Sequence, residues 1–302
     1  MTWTLHPISE FANHAVQWDA LVAAQPGTPF LSSAFLLPAL EVFGNGDEIL
    51  CLSSGGSSLT AGAIVQRGRL GAWQTFQPSQ LPLGAWVAAG DSMNAVRGLI
   101  PKLPGLALAL GLTQLDSRLC QRPNNNDSVR TQDYIQTAWV DVEGPFDGYW
   151  EKRGKNLKQN TRKQRNKLET EATATQLECC VDAADVAMAL QEYGQLESAG
   201  WKTADGTAIH PDNAQGRFYR QMLENFCALD RGRIYKYRFG GKVVAMDLCI
   251  CDASTIVILK TTYDESYKAV SPSTLMRQDQ FRQLFEEHRF TRIEFYGKVM
   301  EW

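Results

Sequence analysis

Three consecutive β-rich runs in the second half of the chain limit its possible folds more than any other feature. The runs cover residues 232–239, 242–251 and 255–262. Gly240 and Gly241 separate the first two runs, and the turn-forming residues 252–254 separate the last two. Connections this short join antiparallel strands, because parallel strands need a long crossover. The pattern therefore predicts a three-stranded antiparallel meander.

The flanking segments extend this meander into an α+β arrangement. A strand-like run at residues 174–181 and helical patterns at 182–196 and 211–229 precede it. A further helix begins at Ser271-Pro272, because Ser is a favoured N-cap and Pro a favoured first helical residue. Residues 290–295 read as a last strand. This order predicts helices packed on a mixed, mainly antiparallel sheet.

Chain length and loop composition indicate two domains. A chain of 302 residues is about two domains long, and helical and strand-like patterns also occur in its first half. Residues 121–133, with a proline and three consecutive asparagines, form the clearest loop. We therefore expect one domain at residues 1–140 and a second at 141–302. The second should carry a long basic helix at 146–172.

This basic helix is expected to break near Gly154, and its charge is the first functional clue. Of the 30 basic residues of the chain, eight lie in residues 152–167, which contain no acidic residue; the other 22 are outnumbered by 33 acidic residues. Three interpretations stay open. The charges form a solvated face, bind a phosphate-rich partner such as coenzyme A or tRNA, or contact an anionic membrane surface.

Several classes of protein and site find no support in the sequence. No basic stretch precedes an apolar run at the N-terminus, and the most hydrophobic segment, 103–112, is shorter than the roughly 20 residues of a transmembrane helix. The seven cysteines lack the two-residue gap of zinc or redox motifs, and the four histidines are scattered along the chain. We expect a cytoplasmic protein with reduced thiols and no metal site.

A set of short motifs points to one family. The motifs are Pro29-Phe30-Leu31-Ser32, Tyr149-Trp150, residues 155–158, Arg162-Lys163, residues 165–168, Trp201-Lys202, residues 260–264, Tyr267, Ser271-Pro272 and residues 292–295. Together they resemble a subfamily of the GCN5-related N-acetyltransferases (GNAT) associated with bacterial cellulose and exopolysaccharide synthesis. That subfamily is related to the Fem-type aminoacyl-transferases, which pair two GNAT-like halves. Ser273 and Glu294 stand where the subfamily usually has Gly and Asp.

The resemblance implies tandem GNAT-like domains, each a mixed, mainly antiparallel sheet flanked by helices. It implies transfer of an acyl group from acyl-CoA to an amine, such as an amino sugar or a glycan precursor, by direct attack on the thioester. Two alternatives stay open: a Fem-type transferase that takes its aminoacyl group from tRNA, and a non-catalytic binding subunit of a polysaccharide system. Because the chain ends at Trp302, earlier than these proteins do, we expect a shortened chain, or a core whose last strands are missing or supplied elsewhere.

The start of the helix at Pro272 is the predicted site for the pyrophosphate of coenzyme A. Unpaired N–H groups and the dipole at a helix N-terminus favour an anion. Ser271 is expected to cap this helix, and Ser273 and Thr274 to add hydroxyl donors. Lys268 would add a positive charge. An ordinary, well-capped helix is the alternative interpretation.

The predicted catalytic residues lie on the strands. The resemblance places the thioester near the end of the third β run, where Lys260 would polarise its carbonyl and Tyr263 would protonate the leaving thiolate. A surface lysine and a packing tyrosine are the alternative. Alternation along residues 243–251 turns Asp247 towards the cleft or the solvent, as a candidate general base or a simply exposed carboxylate. Glu294 is the second candidate base.

Three candidate acceptor-binding residues lie in or near the segment between two predicted helices. Glu197 would bind an amine, and Trp201 would form the floor of the acceptor pocket beside Lys202. A tryptophan that only seals the edge of a domain is an equally good interpretation.

Overall fold

The computed structural model describes residues 2–25, 27–56, 58–198 and 209–298. The chain divides into two compact units. Unit 1 consists of Met1–Gln136 together with Lys298–Trp302, and unit 2 consists of Thr137–Gly297. In the described part of the chain, no helix is both long enough and apolar enough to span a membrane.

Unit 1 is a mixed sheet with helices packed on it. Its elements are β1 (Thr2–Pro7), α1 (Phe11–Ala23), α2 (Ser33–Phe43), β2 (Ile49–Gly55), β3 (Ser58–Arg67), β4 (Ala72–Thr75), β5 (Trp86–Ala88), α3 (Ser92–Leu99) and β6 (Ala109–Gly111). The strand order is β1-β2-β3-β4-β6, with β5 pairing β3. The pairing is antiparallel except between β4 and β6.

Helix α1 packs closely on β3 because one position of that strand has no side chain. A Cβ atom at Gly62 would lie 2.6 Å from the Trp18 ring, so any larger residue would displace the indole. Trp18 is fully buried and its Nε1 donates a hydrogen bond of 2.7 Å to the Leu31 carbonyl. The same helix also buries Phe11 and Leu21, which anchors it to the core.

Unit 2 contains a second mixed sheet. Its elements are β7 (Thr137–Asp141), α4 (Phe146–Glu151), α5 (Lys155–Thr170), β8 (Thr175–Cys180), α6 (Val186–Ser198), α7 (Ala214–Ala228), β9 (Gly232–Phe239), β10 (Lys242–Cys251), β11 (Thr255–Tyr263), α8 (Pro272–Glu287) and β12 (Arg292–Lys298). The strand order is β7-β12-β11-β10-β9-β8. The predicted meander is confirmed as β9, β10 and β11, and the predicted helix break near Gly154 separates α4 from α5.

The burial of β10 differs from the prediction. Every residue from Val244 to Cys251 is buried, in both alternating sets, so both faces of this strand are covered. Phe281 and Leu284 of α8 pack in one cluster with Cys249, while α6 and α7 also contact β9, β10 and β11. The expectation that Asp247 faces the cleft or the solvent is therefore wrong, since its exposure is 0%.

Candidate functional site

Strands β11 and β12 run side by side only where they begin. Their parallel pairing joins Thr255, Ile256 and Val257 to residues 292–294. No further pair between these strands occurs among the described residues, although β11 continues to Tyr263. The ladder that joins the two strands therefore ends before the second half of β11. Such an open strand edge can bind an extended ligand through main-chain hydrogen bonds.

Two local irregularities produce this opening. In β11, Leu248 pairs with Lys260 and Cys249 with Ile258, so Leu259 is an extra, bulged residue. In β12, Tyr296 has a positive φ of 47°, which bends the strand. The two strands diverge because one carries a bulge and the other a bend.

Glu294 stabilises the bend in β12. Its Oε1 accepts hydrogen bonds of 3.0 and 3.2 Å from the backbone N–H groups of Phe295 and Tyr296. Its Oε2 pairs with the Arg292 guanidinium at 3.0 Å, and the residue is 1% exposed. These contacts suit a carboxylate that shapes the strand. The role of Glu294 as a general base stays a prediction.

A buried ion pair lies next to the opening. The Arg277 guanidinium of α8 donates to both carboxylate oxygens of Asp247, at 2.5 and 3.2 Å, and to the Thr261 hydroxyl at 3.0 Å. The Thr261 hydroxyl in turn donates to Asp247 at 2.6 Å. The guanidinium also lies 5.2 Å from the centre of the Phe295 ring on β12. Arg277 thus contacts both diverging strands.

Asp247 is therefore held by hydrogen bonds on both oxygens. The geometry suits a carboxylate that positions Arg277 rather than one that collects a proton from an incoming amine. The sequence reasoning did not identify Arg277. A single arginine in an amphipathic helix gives no sign of its partner until it is known which residues of β10 face α8.

Lys260 points towards α6 and α7. Its Nζ lies 3.4 Å from Glu197 Oε1 and 3.4 Å from Gln215 Oε1, and 5.3 Å from the centre of the Tyr219 ring. The other oxygen of Glu197 accepts a hydrogen bond of 2.8 Å from the Ile209 N–H. The Glu197 side chain is fully buried, so these neighbours satisfy the carboxylate. The structure brings predicted catalytic and acceptor residues together here as a lysine–glutamate pair.

The phenol of Tyr193 lies near this pair and was also missed from the sequence. Tyr193 is 0% exposed, and its hydroxyl has no hydrogen-bond partner among the described residues. Burial, followed by the nearby carboxylates of Glu197 and Asp247, raises its pKa well above the usual value. The phenol therefore stays protonated and is available as a hydrogen-bond donor.

The remaining predicted positions are Tyr263, Trp201 and Lys202. Tyr263 ends β11 and is 39% exposed. Trp201 and Lys202 lie outside the described residues. Their predicted roles in acceptor binding, and that of Tyr263 in thiolate protonation, stay predictions.

The start of α8 is built differently from the prediction. Ser271 occupies the N-cap position, but with φ of 45° it makes no side-chain capping bond. Its hydroxyl instead accepts a hydrogen bond of 2.9 Å from Gln164 Nε2 of α5. The expected capping interaction of Ser271 is wrong, because Gln164 holds the side chain away from the helix.

The free donors at this helix start are few. Pro272 has no N–H, and the Thr274 and Leu275 N–H groups donate to the Ser271 carbonyl at 3.0 and 3.2 Å. The Ser273 N–H is left without a hydrogen-bond partner among the described residues. The Ser273 and Thr274 side chains are half-buried, and Lys268 is exposed nearby in sequence. These groups offer one backbone donor, two hydroxyls and one cation.

The basic helix α5 is partly tied to α8. Arg165 donates to Gln278 at 2.8 Å and to Asp279 at 2.6 Å, and Tyr237 donates to the second oxygen of Asp279 at 2.7 Å. Lys158 pairs with Glu151 at 3.0 Å. The remaining cations on its surface are the exposed residues Lys155, Arg162, Lys163 and Lys167.

Comparisons with known proteins agree with this fold. Residues 155–302 match the family profile described as "Acetyltransferase (GNAT) domain". FemX has a similar structure, with a TM-score of 0.62 and 9% identity over 99% of this chain and 89% of that one. No curated protein sequence matches the chain.

Two further solved structures are similar. The C-terminal DUF2156 domain of a protein assigned as a lysylphosphatidylglycerol synthetase from Agrobacterium fabrum has a TM-score of 0.52 and 15% identity, over 94% of this chain and 78% of that one. A conserved protein of unknown function from Bacteroides thetaiotaomicron has a TM-score of 0.53 and 10% identity, over 93% and 87%. The predicted fold class, α+β with tandem GNAT-like units of mixed sheet flanked by helices, is confirmed.

Proposed function

We propose that this protein transfers an acyl group from acyl-CoA to an amine, on the basis of the match of residues 155–302 to an acetyltransferase (GNAT) domain. The observation that carries the proposal is the opening between β11 and β12. Beyond the end of its pairing with β12, the edge of β11 would offer main-chain N–H and C=O groups to the amides of the pantetheine arm. The opening lies beside the residues best suited to act on the thioester.

The start of α8 would hold the pyrophosphate of the donor. Its free Ser273 N–H and the helix dipole favour an anion, and the hydroxyls of Ser273 and Thr274 add donors. Lys268 would add charge. The positive φ of Ser271 supports this assignment, because strained backbone at non-glycine residues concentrates at ligand-binding sites.

The chemistry we propose is direct attack of a neutral amine on the thioester carbonyl. The new C–N bond forms as the C–S bond breaks. The amine loses a proton to water, the thiolate takes a proton from Tyr263, and the Tyr263 phenolate regains a proton from water. The Lys260 ammonium would stabilise the oxyanion that develops on the carbonyl. The exposure of Tyr263 at the end of β11 supports this role.

The acceptor we propose is an amine on a sugar or glycan precursor, in line with the resemblance to proteins of exopolysaccharide synthesis. A cytoplasmic location belongs to the same proposal, since acyl-CoA is made there. The free thiols of all seven cysteines support it.

Ligand-induced stabilisation tests the donor. Acetyl-CoA should raise the melting temperature, because a ligand that binds only the native state stabilises it. Ser273→Asp would place a negative charge where the pyrophosphate binds, while suiting the helix dipole. We expect unchanged or higher stability without ligand and at least a tenfold weaker affinity for coenzyme A.

The matched control is Ala12→Asp at the corresponding position of α1, an exposed helix start in unit 1. This variant should bind coenzyme A as the parent does. Equal affinity in the Ser273→Asp variant would move the phosphate site away from α8. Release of free thiol from acetyl-CoA, followed against a panel of amino sugars, then tests the transfer itself.

A second candidate function is aminoacyl transfer from tRNA, as in the Fem-type proteins. The exposed cations of α5 support it, because lysine and arginine on one helix suit a phosphate backbone. Salt-sensitive binding of aminoacyl-tRNA, without any shift in melting temperature on adding acyl-CoA, would favour this function over the first.

A further inference from the structure

Two histidines and a glutamate converge in unit 1, where β1 leads into α1. The metal-binding atoms of His6, Glu10 and His14 all lie within 4.8 Å of one another. His6 lies at the end of β1, Glu10 directly precedes α1, and His14 follows one helical turn later. The sequence analysis describes the four histidines as scattered along the chain, whereas the rings of His6 and His14 form a close pair. Its members are brought together by the short connection between β1 and α1.

Both ring nitrogens of His6 have polar neighbours. Nε2 lies 3.2 Å from the Thr4 hydroxyl oxygen, which also lies 3.3 Å from the Leu52 carbonyl oxygen. Nδ1 lies on the side of Glu10.

A nitrogen and a carboxylate oxygen meet in this cluster. His6 Nδ1 lies 3.2 Å from Glu10 Oε2. Both are atoms that bind divalent transition metals in proteins, so one ion could contact both of them.

His14 adds a third ligand to the same small volume. Its ring centre lies 4.5 Å from that of His6. One ligand atom from each of the three residues lies within 4.8 Å of the other two, so a single metal ion can reach all three.

We propose that His6, Glu10 and His14 bind a divalent transition-metal ion, with Zn²⁺ as the reference ligand. Two imidazoles and one carboxylate form a donor set suited to Zn²⁺, Co²⁺ or Ni²⁺. The Thr4 hydroxyl contacts the other ring nitrogen of His6, Nε2, in the position of the outer hydrogen-bond partner of a metal-binding histidine. The bound ion would link the end of β1 to the start of α1.

Metal titration of the full-length, tag-free protein tests the site. We expect one equivalent of Zn²⁺ by calorimetry and a rise in melting temperature. Co²⁺ should give visible absorption bands of a site with fewer than six ligands. His6→Ala and His14→Gln should each weaken the affinity at least tenfold, and Thr4→Val about tenfold.

His288→Asn is the matched control. It removes an exposed histidine of unit 2 at a positive φ that Asn tolerates, so it should bind one equivalent as the parent does. Circular dichroism of each metal-free variant verifies its folding. His14→Gln keeps the helical propensity of α1 and leaves the contacts of His6 with Thr4 and Glu10 in place.

Three results would overturn the proposal. One is the absence of saturable binding, which would leave His6 and Glu10 as a proton-linked ion pair. Another is equal affinity in the His14→Gln variant and the parent. The third is a thiolate charge-transfer band with Co²⁺, which would place the metal on the cysteines.

Discussion

At the scale of single residues, the pairing of Asp247 with Arg277 decides what that carboxylate can do. We expect Asp247→Asn to lower the free energy of unfolding by about 3 kcal/mol, because it leaves the largely buried guanidinium without its counter-charge. Arg277→Met should have a similar effect. The double variant should recover part of the loss, since the two residues are coupled. Urea unfolding measures all three.

The control for this double-mutant cycle is Lys158→Met, which breaks an exposed ion pair with Glu151. It should lower the free energy of unfolding by less than about 1 kcal/mol. The alternative role of Asp247 as a general base makes a different prediction. In that case Asp247→Asn would abolish turnover while leaving the free energy of unfolding nearly unchanged.

The hydroxyl of Tyr193 supports a second prediction at this scale. A buried hydroxyl without a partner costs about 1–3 kcal/mol, so Tyr193→Phe should raise the free energy of unfolding by roughly 1 kcal/mol. A stabilised variant with reduced turnover would mean that this hydroxyl binds substrate. The control is Tyr237→Phe, which removes a hydroxyl that donates to Asp279 at 2.7 Å. That variant should be destabilised.

At the scale of elements, α5 carries several exposed cations and one arginine, Arg165, that contacts Asp279 of α8. Reversing the exposed residues Lys155, Arg162 and Lys163 to Glu should change the free energy of unfolding by less than about 1 kcal/mol. It should weaken binding of whichever polyanion the helix contacts and reduce the salt dependence of that binding. The measurement is the affinity for tRNA and for coenzyme A at several salt concentrations.

Reversing three exposed cations of unit 1, Arg69, Arg97 and Lys102, gives the same change in net charge and serves as the control. Unchanged tRNA and coenzyme A affinity in the α5 variant would show that this helix is only a solvated face. Arg165 must be left out of the set, because its contact with Asp279 ties α5 to α8.

The elements also show what a sequence can predict. Strands β9 to β11 were predicted closely, because hairpin spacing and turn residues are local signals. The start of α8 at Pro272 is local in the same way. The pairing of Asp247 with Arg277 could not be predicted, because the bulge at Leu259 and the packing of α8 set it. His6 and His14 were missed for the same reason, since a turn between β1 and α1 brings them together.

At the scale of the whole molecule, buried thiols link stability to pH. Burial raises the pKa of Cys51 and Cys227 to about 12 and that of Cys179 and Cys251 to about 11, from 9.0. The unfolded chain therefore loses these protons near pH 9, while the folded protein keeps them. Between pH 9 and 11 the folded state binds more protons, so the free energy of unfolding should fall as the pH rises.

Urea unfolding between pH 7 and 10.5, with a reductant present, measures this slope. Below about pH 8 the thiols are protonated in both states and should contribute no slope. Cys51→Ala should be less stable than the parent at pH 7, because it leaves a cavity in the core of unit 1. Above pH 9 the slope of its free energy of unfolding against pH should nevertheless be smaller than that of the parent. The difference should correspond to the release of up to about one proton. A packing defect alone lowers the free energy of unfolding at every pH without changing its slope against pH. If the parent and this variant have the same slope above pH 9, the Cys51 thiol has no part in the alkaline loss of stability.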